Sequence, residues 1–333
     1  MKNNKTLNKP SAWLKPIVTS ALIMGTLFPS CAFAQVPARF YWKPLAGGNA
    51  VPLIYESISG NTNPFDPSNH VQVDASIDAS LAIAGYGVVF PVADRAAMLA
   101  VLLPMGNVSS DMTVAGKSIG QYANGFGDPM LEFDINLFGP SVQKNIPDAM
   151  RYEPGLSVDF LADLAVPIGE YDNQQELNLG QNRWYGRVGA PIIYQIGNWV
   201  PGERTTLELL PAVWLFGDNN DFVGKTMQTD PKFQLDAHLT RDFTESLWGG
   251  IDYTWYKGGK ATIDGVSGDE LNTMGVGFTL GYQVNSNLGL TAGYKSTIND
   301  DAPGEMKMDI FMISLTYGWH PMIEGMRRLK EGM

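Results

Sequence analysis

The sequence holds one cysteine, Cys31, and three histidines, His70, His238 and His320. A single thiol forms no internal disulfide, and no two histidines fall at metal-ligand spacing, so neither a disulfide framework nor a zinc centre is expected. Charge is scarce at 17%, and positive charge is the scarcer sign, with 23 Lys+Arg against 34 Asp+Glu. Binding to nucleic acid needs a basic face to neutralise phosphates, which excludes that partner. Beyond the first 34 residues no uninterrupted apolar run of about 20 residues occurs, which excludes a membrane-spanning helix.

The sequence is rich in glycine, with 36, and has 13 tyrosines, while hydrophobic residues reach 44% and the mean hydropathy is −0.08. This is the composition of an ordered all-β chain with no linker-like shift along it. Residues 1–34 form an address. Lys2, Lys5, Lys9 and Lys15 precede an apolar run from Ile17 to Phe28, and Ala32-Phe33-Ala34 offers a small-x-small cleavage site before Gln35. The run is too short to cross a bilayer, and the pattern is that of a secretory signal peptide. Lipidation at Cys31 is the alternative, although Phe28-Pro29-Ser30 matches a lipoprotein box poorly. Cleavage after Ala34 removes the thiol and four lysines, taking the formal charge from −11 to −15.

The rest of the chain alternates. In VQVDASIDASLAI (71–83) the odd positions are uncharged, whereas Gln72, Asp74, Ser76, Asp78 and Ser80 occupy even ones. Segments 127–139, 155–166, 233–240, 251–255 and 311–319 repeat the pattern, each with one dry and one wet face. About twelve strands are predicted, at 49–59, 71–91, 97–105, 126–138, 154–168, 182–196, 204–217, 232–243, 246–256, 271–284, 288–298 and 308–319. Their connections alternate long and short, with 139–153 as the exception. An even strand number with long loops at one end and short turns at the other is the plan of an outer-membrane β-barrel. On that plan the dry face of 71–83 is assigned to lipid and the wet face to the lumen. The outward parity also puts Trp184, Tyr194, Tyr253, Trp255, Tyr317 and Trp319 near strand ends, as aromatic girdles require. The long loops carry acidic clusters such as Asp218, Asp221 and Asp230, which either face water or bridge through divalent cations to lipopolysaccharide phosphates.

Strand parity yields a set of lumen-facing candidates: Asp74, Asp78, Glu132, Asp134, Asp159, Asp163, Glu208, Asp236 and Asp252, opposed by Arg183, Arg187 and Lys295, with His238 among them. Such groups are either a structural ion-pair network or a polar constriction that selects solutes. Arg183 and Arg187 would suit a carboxylate such as an aromatic acid, unless acids on the preceding strand claim them. Leu161, Leu210, Trp214 and Phe216 share the inward parity. They form an apolar path, the packing of a closed barrel, or a seat for an N-terminal segment such as 36–48 folded inward. A hydrolase would need Ser and His within reach of each other; His238 lies beside Asp236, but no triad can be read. No catalytic residue, cofactor or metal is expected.

AVPIGEYD (165–172) followed by LNLGQNRWYG (177–186), together with GFGDPMLEF (125–133), FQLDAHLTRDF (233–243) and YKGGKATIDGV (256–266), resembles the family named for the meta pathway of phenol degradation, over roughly 40–320. The resemblance implies an outer-membrane transporter that passes hydrophobic or aromatic compounds, with no catalytic residues to carry over. A structural or receptor-like barrel without flux is the other reading. The chain therefore divides into a signal peptide (1–34), an N-terminal segment (35–48), a barrel (49–320) and a basic periplasmic tail (321–333). The expected partners are outer-membrane lipid and lipopolysaccharide, the barrel assembly machinery and a small solute. One departure from barrel habit stands out. Tyr317 and Trp319 end the last strand, yet HPMIEGMRRLKEGM follows them, so the terminal aromatic that the assembly machinery reads is not terminal here.

Overall fold

The computed structural model describes residues 37–114, 117–298, 302 and 304–330. The expected signal peptide and its cleavage site lie outside them. The wall begins with β1 (Asn49–Gly60), β2 (Ala75–Val92), β3 (Arg95–Val114), β4 (Lys117–Phe126) and β5 (Met130–Phe138). After the short helix α1 (Ile146–Arg151) come β6 (Leu156–Ala165), β7 (Tyr185–Gly189), β8 (Ile192–Gln195) and β9 (Thr205–Phe216). Then follow β10 (Asn219–Phe222), β11 (Lys225–Thr229), β12 (Lys232–Asp242), β13 (Leu247–Gly258), β14 (Ala261–Ile263) and β15 (Val266–Ser267). The chain finishes with β16 (Leu271–Gln283), β17 (Leu288–Ile298), β18 (Met308–Trp319) and the helix α2 (Pro321–Lys330).

Every wall strand is antiparallel to its neighbours. β4 and β5 share one position beside β3, and β7 and β8 share one between β6 and β9. The pairings Asn49↔Trp319 and Lys232↔Trp214 close the circle, giving a transmembrane barrel of twelve strand positions. Closure pairs the twelve positions on both sides, which is what a sheet in lipid requires, and of the described wall strands only the upper strand β4 pairs on one side alone, with β3. The short turns have local causes. Asn285 Oδ1 accepts from the backbone N–H groups of Asn287 and Leu288, and Thr244 Oγ1 accepts from those of Ser246 and Leu247. Within the exceptional connection 139–153, Asn145 caps α1 by accepting from Asp148 N at 3.0 Å.

Two predicted segments differ. Within 106–125, expected as a loop, residues 106–114 continue β3 and residues 117–125 belong to β4, paired from Met105↔Phe126 to Val114↔Lys117. The strand at 182–196 is broken at Ala190-Pro191, because Pro191 has no N–H for the ladder. The loops at 218–231 and 257–270 contribute a small separate sheet, ordered β10-β11-β14-β15.

The outward face is an apolar belt with Leu53, Phe311, Ile313, Leu315, Val276, Phe278 and Leu280 all exposed. Trp184 (54% exposed) and Tyr194 (52%) stand at opposite ends of one position. The lipid assignment of 71–83 is overturned. Ile77, Leu81 and Ile83 are buried inside the barrel, while Asp74 and Asp78 are exposed and do not face the lumen. The reason is height. This part of β2 pairs with Ser57 and Ser59 of β1 and with Asn107 and Ser109 of β3, and on those strands the apolar belt has already ended. Its outer face is hydroxyl-rich and polar, with Tyr55 Oη 3.3 Å from Ser80 Oγ. Alternation shows that two faces differ, but which one is dry outside depends on where the strand sits relative to the membrane.

Candidate functional site: the lumen of the barrel

The lumen has two unlike walls. On β18, β1, β2 and β3 it is apolar, built by Met308, Ile310, Met312, Ile54, Ile58, Ile77, Leu81, Met98 and Leu102. On the facing strands it is acidic. Among the described residues, nine carboxylates on wall strands are buried: Glu56 on the apolar arc, and Glu132, Asp134, Asp159, Asp163, Glu208, Asp236, Asp242 and Asp252 on the facing strands. Among the described residues the wall strands themselves bury three Lys and Arg side chains, Arg187, Lys232 and Lys295, with Arg183 just ahead of β7. Register gathers the acids, since Glu132 lies opposite Asp163, Asp163 opposite Arg187, and Asn136 opposite Asp159.

The balance comes from the N-terminal segment, which enters at the short-turn mouth. Arg39 donates to Asp242 Oδ1 at 2.5 Å and to Thr240 Oγ1 at 3.0 Å, with its guanidinium 4.4 Å from the ring centroids of both Trp42 and Trp248. Arg39 N and Trp42 Nε1 donate to the two oxygens of Glu208, at 2.7 and 2.9 Å. The Lys43 ammonium lies between Asp134 and Asp159 and forms an ion pair with each. Burial alone would lower its pKa; the two carboxylates outweigh that and hold it above the ordinary lysine range. Beside Trp42 and Lys43 lies a small cleft of about 40 Å³, lined by Tyr152, Ile193, Trp199 and Arg204 among others.

At the long-loop mouth the connection 61–74 folds over the lumen. Phe65 is fully buried, Asp66 accepts from Arg183 Nη2 at 3.1 Å, and Lys232 donates to Pro67 O and Asn69 Oδ1 while facing the Tyr256 ring at 4.4 Å. Asp128 ties the neighbouring loop 166–184 to the wall by accepting from Gly169 N at 2.9 Å and Gln181 N at 2.8 Å, and that loop holds the cap, with Gln181 Nε2 donating to Phe65 O at 3.1 Å and Asn63 Nδ2 to Asn178 O at 2.7 Å. Here glycine is required by space, because a Cβ on Gly169 would stand 2.6 Å from Gly127 C, and one on Gly180 2.6 Å from Gly169 C.

The family described as "Putative MetA-pathway of phenol degradation" matches residues 59–313. The chain belongs to this family. No curated protein sequence matches it. Among solved structures it is similar to the COG4313 outer membrane channel from Pseudomonas putida F1, at 18% identity and TM-score 0.67, covering 85% of this chain and 99% of that one. It also matches the beta domain of the Bordetella autotransporter BrkA at 11% identity and TM-score 0.47, covering 82% and 100%. The segments that suggested the phenol-degradation family, 125–133, 165–172 and 177–186, are those that interlock at Asp128, Gly169 and Gly180 to carry the cap.

For this family member the sequence-derived candidates divide clearly. Glu132, Asp134, Asp159, Asp163, Glu208, Asp236, His238, Asp252, Arg183, Arg187 and Lys295 are all buried. The two arginines do not form one fork. Arg183, just ahead of β7, is held by Asp66 and by Thr229 Oγ1 at 2.7 Å, whereas Arg187 Nε donates to Asp163 at 2.6 Å. His238 Nδ1 is 2.5 Å from Asp252 Oδ1, so its orienting acid is Asp252 rather than the adjacent Asp236. Among the described residues its Nε2 has no hydrogen-bond partner. Leu161, Leu210 and Trp214 are buried inside, as the inward parity required. The residues that sequence reasoning missed are Arg39, Trp42, Lys43, Asp66, Lys232 and Asp242. The legible signal was charge: RFYWK, rich in aromatics and cations, directly precedes a barrel whose inward positions are mostly acids.

Proposed function

We propose that the protein is an outer-membrane channel for small, largely apolar or aromatic molecules, and that the conformation described is its closed state. The observation that carries the reading is that two chain segments, 37–48 and 61–74, fill the mouths, and that they are held by ion pairs and hydrogen bonds to the wall. Such contacts can be exchanged for water without disturbing the wall ladder. The apolar arc of the lumen and the family description both support an apolar or aromatic cargo. The long loops would face outward and α2 the periplasm, with lipid and lipopolysaccharide around the belt and the assembly machinery inserting the chain. His238 would act as part of the lumen's polar lining, its Nδ1 paired with Asp252 and its Nε2 meeting no hydrogen-bond partner among the described residues.

Planar-bilayer conductance and liposome uptake of benzyl alcohol test the reading, comparing wild type with Arg39→Ala/Lys232→Met, which loosens both stoppers. Conductance and uptake are expected to rise in the double variant. A correctly folded double variant that passes neither ions nor benzyl alcohol would instead make this a structural barrel.

A further inference from the structure

We propose that Asp134 and Asp159 form a binding site for the primary ammonium group of a small organic cation, and that Lys43 is its tethered occupant. The inference rests on the channel reading and names a cargo class for it. Both carboxylates belong to the wall and are essentially inaccessible, at 0% and 1% exposure. The wall shapes the site without help from the plug. Asn136 Nδ2 donates to Asp159 Oδ1 at 2.7 Å, Asn136 Oδ1 accepts from Arg95 at 3.1 Å, and Ser157 Oγ is 3.4 Å from Asp159 Oδ1. Two fixed acids with no basic side chain of their own strand neighbours between them are costly to bury empty; a cation must fill the gap, and in this state a primary ammonium does.

The space beside it is bordered by aromatic side chains. A small cleft of about 40 Å³ next to Lys43 is lined by Trp42, Trp199 and Tyr152, and the two indoles pack on each other at 4.8 Å between centroids. With the lysine side chain withdrawn, an arylalkyl ammonium places its charge where Lys43 Nζ now sits and its ring in the space the lysine stem vacates beside Trp42. The acidic excess of the strand wall points the same way, since carboxylate solutes would meet it as repulsion. Lys43 competes with any such ligand at the high local concentration that a tether gives, so the site is masked in wild type and uncovered by its removal.

The probe is benzylammonium, with benzoate and benzyl alcohol as matched controls, titrated by calorimetry into the full-length protein in detergent. Lys43→Ala should bind benzylammonium about tenfold more tightly than wild type does, with no gain for either control. Adding Asp134→Asn and Asp159→Asn should abolish the gain. An equal gain for benzyl alcohol would reduce the site to an apolar cleft, and no gain at all would overturn the proposal. Lys43→Met keeps the stem without the charge and serves if the alanine variant fails to show heat-modifiable folding. If neither folds, wild type decides: millimolar benzylammonium must displace Lys43 and speed tryptic cleavage after Arg39, and equal rates with benzoate overturn the idea. Ammonium-selective binding without conductance would remove the channel reading and leave the site. Conductance without ammonium selectivity would do the reverse.

Discussion

Arg187 shows what a single lumen residue does. It is buried, its Nε donates to Asp163 Oδ2 at 2.6 Å, and its guanidinium lies 5.1 Å from the Trp214 ring centroid. Glu132 lies opposite the same aspartate in register. Removing the guanidinium leaves two facing acids, and breaking a buried pair from one side costs about 3–5 kcal/mol. Arg187→Ala should therefore lower the unfolding temperature clearly in detergent, while Arg187→Met with Asp163→Leu should recover much of the loss. A single variant that unfolds like wild type but conducts with altered selectivity would return Arg187 to a solute-binding role. At this scale the sequence was informative about depth but not about partnership. Period-2 parity put Glu132, Asp134, Asp159, Asp163, Asp236 and Asp252 inside, because each sits in a strand that crosses the belt. It failed for Asp74 and Asp78, because Asp74 precedes β2 in a turn at φ 60° and Asp78 lies where the lipid belt has ended. It also gave no view of Lys43 meeting Asp134, a contact made across 91 residues of chain.

Among the elements, the hairpin of β3 and β4 and the N-terminal segment were the hardest to read, for opposite reasons. The stretches GNVSSDMTV (106–114) and KSIGQYANGF (117–126) stand above the belt, where neither face need be apolar, so a strand there looks like a loop. Residues 37–48 hold no regular strand or helix, and their order comes from the wall they meet. Two glycines test these attachments. Gly281 lies opposite Trp248, and a Cβ there would stand 2.0 Å from the indole ring that stacks on Arg39. Gly281→Ala should push the indole aside and speed tryptic cleavage after Arg39, read by mass spectrometry, while the barrel keeps its heat-modifiable migration. Gly180→Ala acts at the other mouth, where backbone meets backbone. Overpacking of that kind costs about 1–3 kcal/mol, so its unfolding midpoint in denaturant should fall with β-type circular dichroism intact. An unchanged midpoint would mean that the cap carries little of the stability.

At the scale of the whole molecule the two stoppers lie in series along one lumen. The first depends on Arg39 with Asp242 and on Lys43 with Asp134 and Asp159; the second depends on Lys232 with Pro67 and Asn69 and on Arg183 with Asp66. No residue is shared between them, so loosening one leaves the other in place. Two resistances in series give a distinct conductance signature. Opening either alone is limited by the one still closed, and only opening both lets the wall set the current. Arg39→Ala and Lys232→Met should each stay within about twofold of wild-type conductance, and the double variant should exceed the product of the single effects, the non-additivity expected of coupled sites. Single-channel recording at matched salt measures all four chains. If Arg39→Ala alone produced the full increase, loop 61–74 would be a permeable rim and the N-terminal segment the sole closure. If Lys232→Met alone did so, the cap would be the closure and the segment a lining of the lumen.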